Sequence, residues 1–444
     1  MTATTPLLQD EVVELTRDLL RVDTTNGNET AAARVLAERL EDGGVECEVV
    51  ARDPARGNLV ARLPGTGGGP TLAYVGHLDV VPADARDWTH PPFGAVVDDD
   101  GYLFGRGALD MKNEVAARTV AMMTLARDGF APRGDLLLLM VADEEDGSAG
   151  VGMEWLVEAR PDLRCDYALN EGGGARYALR DGRTVVDIAV GEKGTCPVRV
   201  DALGEAGHAS MPTLGNNAVP LLGEVLRRIG QGTAVPQRHE VVDEVLRVLL
   251  SDAAPVGSHA DADFVAALDR AAALSPLLTH ALPAVAGTTM APTLLYGSSA
   301  RNVLPARAGV ELDCRVLPGT TSAEVEAGVR TRLGDDLAYK LSFPEPMTPG
   351  SASPASGVLW DACRAWLAEH DPGAVALPSL CAGFTDSVHL RRAFGTVAYG
   401  FAPMRTTPAE VAESGFHNAD ERVHVDDLSL AARCHVDLAR RLLG

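Results

Sequence analysis

The 444-residue sequence predicts an α/β protein in which a discontinuous domain, with a mixed sheet flanked by helices, carries an inserted ferredoxin-like (βαββαβ) domain. Strand and helix patterns alternate from residue 1 to 193, which indicates a layered α/β domain. The pattern changes to βαββαβ from 194 to 343, and the α/β pattern resumes from 344 to 444. The chain is also too long for one ordinary core, so two domains are expected.

The first segment begins with two predicted helices and continues with strands. Apolar side chains recur at helical spacing over 10–21, and Asn28 is placed to cap a second helix up to Leu40, where two glycines follow. Strands are predicted over 45–50 and 58–63 and in the run that holds His77.

Three further elements of the discontinuous domain have clear patterns. A long amphipathic helix is predicted from Met111 to Arg127, directly after Asp110. The strand from 135 to 143 is almost entirely apolar, as expected for a strand covered on both faces. A helix from Val425 to Leu443 closes the second segment.

The inserted segment has its own order of strands and helices. Its strands are predicted over 196–203, 293–304, 307–317 and 337–343, and its helices over 217–229 and 322–333. An Ala- and Leu-rich stretch over 235–282 is predicted to be an additional helical insertion between the first helix and the second strand.

Composition excludes several classes of protein. The hydrophobic fraction of 46% and the charged fraction of 23% are typical of a soluble globular chain, and no apolar run approaches the ~20 residues that span a bilayer. The net charge of −23 argues against a nucleic-acid partner, since phosphate binding needs a basic surface. The first residues have no export signal, and the seven scattered cysteines form no C-x-x-C pair, so a cytoplasmic location with reduced thiols is expected.

Acidic and imidazole side chains stand at points where strand-like runs give way to turns. They are His77, Asp110, Glu145, Glu171 and His417. In open α/β sheets, sites gather beyond the carboxyl ends of the strands, so we expect these side chains to converge. Oxygen and imidazole ligands without thiolate suit zinc, with cobalt or manganese as alternatives. Two ions ~3.5–4 Å apart need a bridging carboxylate, and Asp110 is the candidate.

Two more acids belong to the predicted site. Glu144 and Glu145 are adjacent, so one can ligate a metal while its neighbour faces the bound water as general base. Asp79, two residues after His77 on the same strand face, can accept the free imidazole N–H of His77.

Each of these signals has a simpler interpretation when taken alone. The acid pair could be a charged turn, Asp110 a helix cap, Glu171 a turn acid and His417 a surface histidine. Their joint occurrence at strand ends, in this order, favours the metal site.

Several motifs together resemble one large family, the co-catalytic zinc metallopeptidases that include aminoacylase, carboxypeptidase S, glutamate carboxypeptidase, acetylornithine deacetylase and succinyl-diaminopimelate desuccinylase. The motifs are Y-V-G-H-L-D-V-V, W-T-H-P-P-F-G, G-R-G-A-L-D-M-K, A-D-E-E-D-G-S, N-E-G-G-G, G-H-A-S-M-P and H-N-A-D-E-R-V-H-V-D-D-L. They extend over nearly the whole chain.

The resemblance implies a role for each predicted site residue. Asp110 matches the acid that bridges two zinc ions, and the peptide bond after it is typically cis in the family. His77 and Glu171 match the further ligands of one ion, and Glu145 and His417 those of the other. Glu144 matches the general base, and Asp79 the acid behind the histidine.

The inserted domain resembles the lid and dimerisation domain of the family. His208 in G-H-A-S-M-P matches a histidine that reaches the active site of the partner subunit and stabilises the oxyanion. Asn302 matches a residue near the substrate, and Arg315 matches an arginine that binds the substrate carboxylate, a task suited to the guanidinium fork.

His208 could instead be a loop histidine and Arg315 part of a strand-edge salt bridge. The loop Gly383–Ser387 lies where the family binds substrate, but its sequence departs from the pattern.

These resemblances predict a homodimeric di-zinc hydrolase that cleaves the amide bond of an N-acyl amino acid or short peptide with a free carboxylate. Glutamate at position 171 favours a carboxypeptidase or deacylase. A dipeptidase or aminopeptidase of the same family is the main alternative, and a non-catalytic metal-binding homologue is another. The expected partners are a small-molecule or peptide substrate and a second copy of the chain, with no nucleic acid and no membrane.

Overall fold

The computed structural model describes residues 4–230, 235–251 and 262–444, and the chain forms two compact units. The first unit comprises the chain up to Gly191 together with Ser353–Ser379 and Thr385–Gly444. The second comprises Glu192–Ala352 and Leu380–Phe384. The first unit is thus discontinuous in sequence.

The first unit is built on a mixed sheet. In spatial order, its strands are Cys47–Val50, Asn58–Leu63, Leu136–Val141, Leu72–His77, Tyr167–Asn170, Val397–Gly400 and Thr184–Glu192. Two more strands, Arg176–Ala178 and Ala374–Cys381, also pair with Thr184–Glu192. The four strands from Leu136–Val141 to Val397–Gly400 are parallel to one another. Their carboxyl ends therefore lie at one edge of the sheet, where ligand sites form in such folds.

Helices and a small sheet complete the first unit. The helices are Thr4–Leu20, Glu29–Asp42, Lys112–Arg127, Met153–Ala159, Val358–His370, Ser387–Phe394, Ala409–Gly415 and Val425–Leu443, with short 3-10 turns at Ala85–Asp87 and Pro161–Leu163. The small sheet joins Val96–Val97, Tyr102–Phe104 and Arg422–His424. Apolar residues of the central strands, such as Val75, Leu139 and Ala168, form a fully buried core. Full burial of one large apolar side chain contributes roughly 1.5–3 kcal/mol.

The second unit has the predicted ferredoxin-like order. Its main strands are Gly287–Tyr296, Arg307–Val316, Val198–Leu203 and Tyr339–Ser342 in spatial order, with the short strands Gly194–Thr195, Gly207–His208, Val235–Pro236, Val303–Leu304 and Ser351–Ala352. The two helices of the motif are Ala218–Gly230 and Ser322–Leu333. Alternate residues of the strands, including Val200 and Val310, pack with these helices in one core. The predicted α/β class with an inserted βαββαβ domain is confirmed.

Some local predictions differ from the structure. The predicted helical stretch over 235–282 contains the strand Val235–Pro236 and the helices Glu240–Leu250, Ala262–Ala272 and Pro276–Val285, and part of it lies outside the described residues. The strand predicted over 293–304 is instead Gly287–Tyr296 and, after a turn, Val303–Leu304. Asn28 precedes the second helix in a left-handed conformation (φ 67°), so its side chain donates to the carbonyl of Asp23 and does not cap the helix.

Two further observations concern membrane-spanning helices and cysteines. Within the described ranges, no helix has both the length and the apolar character that a bilayer crossing needs. All seven cysteines lie in those ranges, and each is a free thiol.

Candidate metal centre

The carboxyl ends of neighbouring parallel strands place the predicted ligands in the first unit. His77 ends its strand, Glu144 and Glu145 follow Val141, and Glu171 follows Asn170. The ligand atoms of His77, Asp110 and Glu145 lie within 4.8 Å of one another, and so do those of His77, Glu144 and Glu171. The structure therefore brings together side chains that are far apart in sequence.

Asp110 lies between the two histidines. Its Oδ1 is 3.0 Å from His77 Nε2, and its Oδ2 is 3.2 Å from His417 Nε2. The second contact of each imidazole is a glutamate: Glu171 Oε2 lies 3.1 Å from His77 Nε2, and Glu145 Oε2 lies 3.0 Å from His417 Nε2. The centre thus divides into two halves that share one carboxylate.

Asp79 organises the loop after Val141. Its carboxylate accepts hydrogen bonds from the backbone N–H groups of Glu144 (3.2 Å) and Glu145 (3.0 Å). His77 Nδ1 lies closer to the Asp79 backbone oxygen (3.0 Å) than to its carboxylate (3.6 Å). The imidazole is thus closest to the backbone oxygen of Asp79 and not to the carboxylate that was predicted to accept from it. The main partners of the carboxylate are the two backbone N–H groups, which sequence analysis did not foresee.

Glu421 holds the loop that carries Asp110, a role that the sequence did not reveal. Its buried carboxylate accepts hydrogen bonds from Arg106 Nη1 (2.7 Å) and from the backbone N–H groups of Gly107 (3.0 Å), Leu109 (2.6 Å) and Asp110 (3.0 Å). The peptide bond from Asp110 to Met111 is cis, as the resemblance implied. The only available signal for Glu421 was its position in the H-N-A-D-E-R motif.

The three glycines after Glu171 allow a close approach of chain segments. Gly173 and Gly174 have φ of 66° and 95°, and a Cβ would lie 2.4 Å from the Gly400 oxygen in the first case and 2.0 Å from the Ala402 oxygen in the second. The positive φ and the close backbone oxygen each exclude a residue with a side chain at these two positions. This explains the N-E-G-G-G motif.

Asp187 packs against the same loop. Its backbone exchanges hydrogen bonds with Gly174 and Ala175, and its carboxylate accepts from Ala175 N (2.9 Å) and Ser379 Oγ (3.0 Å). Burial and the neighbouring Glu413 raise the pKa of Asp187 to about 7. Nothing in the sequence singled out Asp187.

The protonation of the centre is strongly perturbed. Burial alone would lower the pKa of His77, but hydrogen bonds with the surrounding carboxylates outweigh it and hold the pKa well above the ordinary value. Hydrogen bonds with Asp110 and with a neighbouring glutamate raise the pKa of His417 to about 10. Burial raises the pKa of Glu144 and of Glu171, and the proximity of Glu171 adds to the shift of Glu144. Cations that bind here must therefore displace protons.

The residues present fit two divalent cations. Asp110, Glu144, Glu145 and Glu171 supply four carboxylates beside two imidazoles, a charge that two divalent cations would balance. Glu145 Oε1 is buried without a hydrogen-bond partner, and such an orphaned oxygen is costly unless a cation or donor meets it. The donors are oxygen and imidazole nitrogen, which suit zinc, cobalt or manganese.

Asp386 is a further acid of the first unit, in the loop Gly383–Ser387. It is buried, its Oδ2 has no hydrogen-bond partner, and burial raises its pKa well above the ordinary value. Its negative charge adds to the raised pKa of Glu144, and the charge of Glu171 adds to the raised pKa of Asp386. Sequence analysis assigned no role to this residue.

The three remaining predicted residues lie in the second unit. His208 pairs with Val303 in a short ladder, and the N–H of Ala209 donates to the Asn302 carbonyl (3.1 Å), so His208 and Asn302 are neighbours. His208 is exposed, and its Nδ1 lies 2.7 Å from Ser210 Oγ.

Arg315 forms a two-point ion pair within its own strand. Its Nε and Nη2 donate to the carboxylate oxygens of Asp313 at 2.8 and 3.1 Å. This matches the salt-bridge alternative. A role in carboxylate binding stays a prediction, since a bound carboxylate would have to compete with Asp313.

Comparison with known proteins places the chain in a family. A sequence profile of peptidase family M20/M25/M40 matches residues 73–441. The chain belongs to this family. Family membership makes it a metallopeptidase or amidohydrolase that acts on C–N bonds, and it confirms the predicted family and enzyme class.

Two curated relatives illustrate the range of the M20 family. Aminoacylase-1 of Mus musculus is 28% identical over 439 residues, which cover 96% of this chain and 94% of the relative. A probable succinyl-diaminopimelate desuccinylase of Staphylococcus epidermidis is 33% identical over 243 residues, and this match covers 54% of the chain and only 56% of the relative.

A solved M20 structure shows the same fold. The M20 family metallo-carboxypeptidase Sso-CP2 from Sulfolobus solfataricus superposes with a TM-score of 0.70 at 19% identity, covering 98% of this chain and 99% of that one. At this identity, the likeness supports the fold alone.

Proposed function

We propose that this M20-family chain is a dinuclear metal hydrolase that removes the acyl group from N-acyl amino acids or cleaves short peptides with a free carboxylate. The observation that carries the proposal is Asp110, whose two oxygens face one histidine each, so that this carboxylate could serve two ions. His77 and Glu171 would hold one ion, and Glu145 and His417 the other. Zinc is the proposed metal.

Glu144 is the proposed general base. When bound, the two ions supply Lewis acidity that polarises the scissile carbonyl and lowers the pKa of the attacking water. Glu144 lies at the ligand cluster, where its carboxylate can take the proton of that water and pass it to the leaving amine. Asp79 fixes the backbone N–H groups of both Glu144 and Glu145, so it orients a base and a ligand together.

The second unit is proposed to contribute substrate recognition. Arg315 would grip the free carboxylate of the substrate, with Asn302 nearby, and His208 would stabilise the oxyanion. Removal of one such oxyanion donor costs about 3–4 kcal/mol in other enzymes. His208 is proposed to act on the site of the partner subunit, which makes a homodimer part of the proposal.

An exposed strand edge supports the homodimer. The strand Gly287–Tyr296 pairs along one side with Arg307–Val316, and in the described residues its other side is paired only at Gly287 and Thr288. Leu294 and Leu295 on this edge are 61% and 64% exposed. Apolar edge strands invite a second strand.

A dipeptidase or aminopeptidase is the second candidate function. Asp386 favours it, because its Oδ2, a buried oxygen without a hydrogen-bond partner, could accept from the α-ammonium group of an unblocked peptide.

A substrate panel tests the proposal. Purified protein loaded with Zn²⁺, Co²⁺ or Mn²⁺ is assayed with N-acetyl amino acids, the same compounds as amides, and unblocked dipeptides. We expect turnover of the N-acetyl amino acids and loss of most activity when the carboxylate is amidated. Activity confined to substrates with a free amine would instead support the dipeptidase or aminopeptidase. The absence of hydrolysis with every metal would refute both.

A further inference from the structure

Arg118 is a buried cation behind the candidate metal centre. It lies on the helix Lys112–Arg127, which starts two residues after Asp110, and its side chain is fully buried. Its Nη1 donates to the carbonyl of Val75 (2.7 Å), and its Nη2 donates to the carbonyl of Asn170 (2.6 Å) and to Glu114 Oε2 (2.5 Å). Two of these acceptors are backbone atoms of different strands.

These two strands carry His77 and Glu171. In the described part of the chain, the parallel ladder between them runs from Leu72 and Tyr167 to Tyr74 and Leu169 and then ends. Val75 and Asn170 are the first residues beyond it. Arg118 therefore joins the two strands at the point where their own ladder stops, just before each strand reaches its ligand.

Arginine makes this connection with a rigid group. The guanidinium is planar, so its two Nη atoms have a fixed separation and can set the distance between two carbonyl groups. A lysine ammonium has a similar charge but no rigid fork. Glu114, one helical turn before Arg118, supplies the compensating charge that a buried guanidinium needs.

We propose that Arg118 is a positioning residue that fixes the spacing of His77 and Glu171 and thereby sets the affinity of the ion that these two ligands hold. The inference rests on the proposed two-ion centre. It assigns Arg118 to one half of that centre, since neither Glu145 nor His417 lies on a strand that the guanidinium contacts.

Metal titration of variants, without any activity assay, tests this assignment. The apo protein is prepared with a chelator and titrated with Zn²⁺, and bound metal is measured by mass spectrometry after gel filtration. His417→Ala leaves the His77 and Glu171 half intact, and Glu171→Ala leaves the other half intact. Arg118→Lys is then introduced into each of these two single variants.

We expect Arg118→Lys to weaken Zn²⁺ binding about tenfold or more in the His417→Ala background and to have little effect in the Glu171→Ala background.

Arg391 offers a matched control. It also donates to carbonyl groups of two neighbouring strands in the first unit, those of Val190 and Ala398, and neither strand carries a proposed ligand. Arg391→Lys should lower the melting temperature but leave both Zn²⁺ affinities unchanged.

A second variant covers the case in which Arg118→Lys fails to fold. Arg118→Met with Glu114→Gln removes both charges, so that no unpaired charge stays buried. An equal loss of Zn²⁺ affinity in both backgrounds, or no loss in either, with whichever variant folds, would overturn the assignment while leaving the proposed function in place. Wild-type protein that binds fewer than two ions would overturn the two-ion centre and the inference with it.

Discussion

At the scale of single residues, the two adjacent glutamates of the site make different contacts. Glu144 and Glu145 are neighbours in sequence, but Glu145 contacts His417 at 3.0 Å, whereas Glu144 lies 3.9 Å from His77 and makes the longer contact. This difference supports the proposed roles, with Glu145 as a ligand and Glu144 as the base that acts on a water molecule. Adjacency alone left open which of the two acids ligates, and the family resemblance favoured the same assignment.

Replacement of the proposed base separates chemistry from metal binding. Glu144→Gln keeps the shape of the side chain but cannot accept a proton, so we expect kcat to fall about 10²- to 10⁴-fold. Metal content, measured by mass spectrometry, should stay at the wild-type level. Glu154→Gln, at an exposed glutamate of the helix Met153–Ala159, is the control. Unchanged kcat in Glu144→Gln would contradict the assignment of the base.

At the scale of elements, buried acids fix the loops that the strands lead into. Asp79 binds the loop of Glu144, Glu421 binds the loop of Asp110, and Asp187 binds the loop of Glu171. Each does so through backbone N–H groups, because a carboxylate can accept several hydrogen bonds at once. Loop geometry in this protein is therefore set by acids that lie elsewhere in the sequence.

The pKa of Asp187 makes one of these contacts depend on pH. Its folded-state pKa of about 7 lies above the reference value of 3.8, so the folded protein keeps a proton that the unfolded chain has lost. The contribution of Asp187 to stability is therefore fully present below about pH 4 and declines as the pH rises to about 7, by at most about 1.4 kcal/mol per pH unit.

Asp187→Asn removes this titration. As the pH rises from 5 to 8, the melting temperature of the wild type should fall by a few degrees relative to that of the variant, because only the wild type must ionise a buried acid. Scanning calorimetry at several pH values measures the difference. Asp181→Asn, an exposed acid on the same stretch, should give a constant difference. A constant difference for Asp187→Asn as well would contradict the raised pKa.

The sequence predicted regular elements better than it predicted supporting contacts. The helix Ser322–Leu333 has the predicted bounds because Thr321 and Glu324 form a capping box at its start. The strand predicted over 293–304 was wrong because apolar residues lie on both sides of a turn. Asp187, Glu421 and Arg118 act through backbone groups distant in sequence, so no local pattern marks them.

At the scale of the whole molecule, the proposal divides the reaction between two copies of the chain. His208 and Asn302 lie together in the second unit, whose strand Gly287–Tyr296 presents an exposed edge. Pro292 on this strand has no N–H group to donate, which is typical of edge strands. A strand from a second copy can add to the edge on either side of that position.

Hybrid dimers test whether His208 acts across subunits. His208→Ala and Glu144→Ala should each be inactive. In an equal mixture, half of the dimers are hybrids and half of their sites are intact, so about one quarter of wild-type activity should return. Light scattering establishes the dimer, and Leu294→Lys should weaken it. An unchanged background activity in the mixture would show that His208 does not serve a partner.

The two imidazoles of the centre belong to segments that the ribosome makes far apart in time. His77 is translated early and His417 late, and Asp110 contacts both. Until the later segment has been synthesised and has docked, a nascent chain presents these four acids, Asp110, Glu144, Glu145 and Glu171, with a single histidine. In the proposed centre, an ion captured before that stage would find only the half that holds His77, so loading with both ions would follow completion of the first unit.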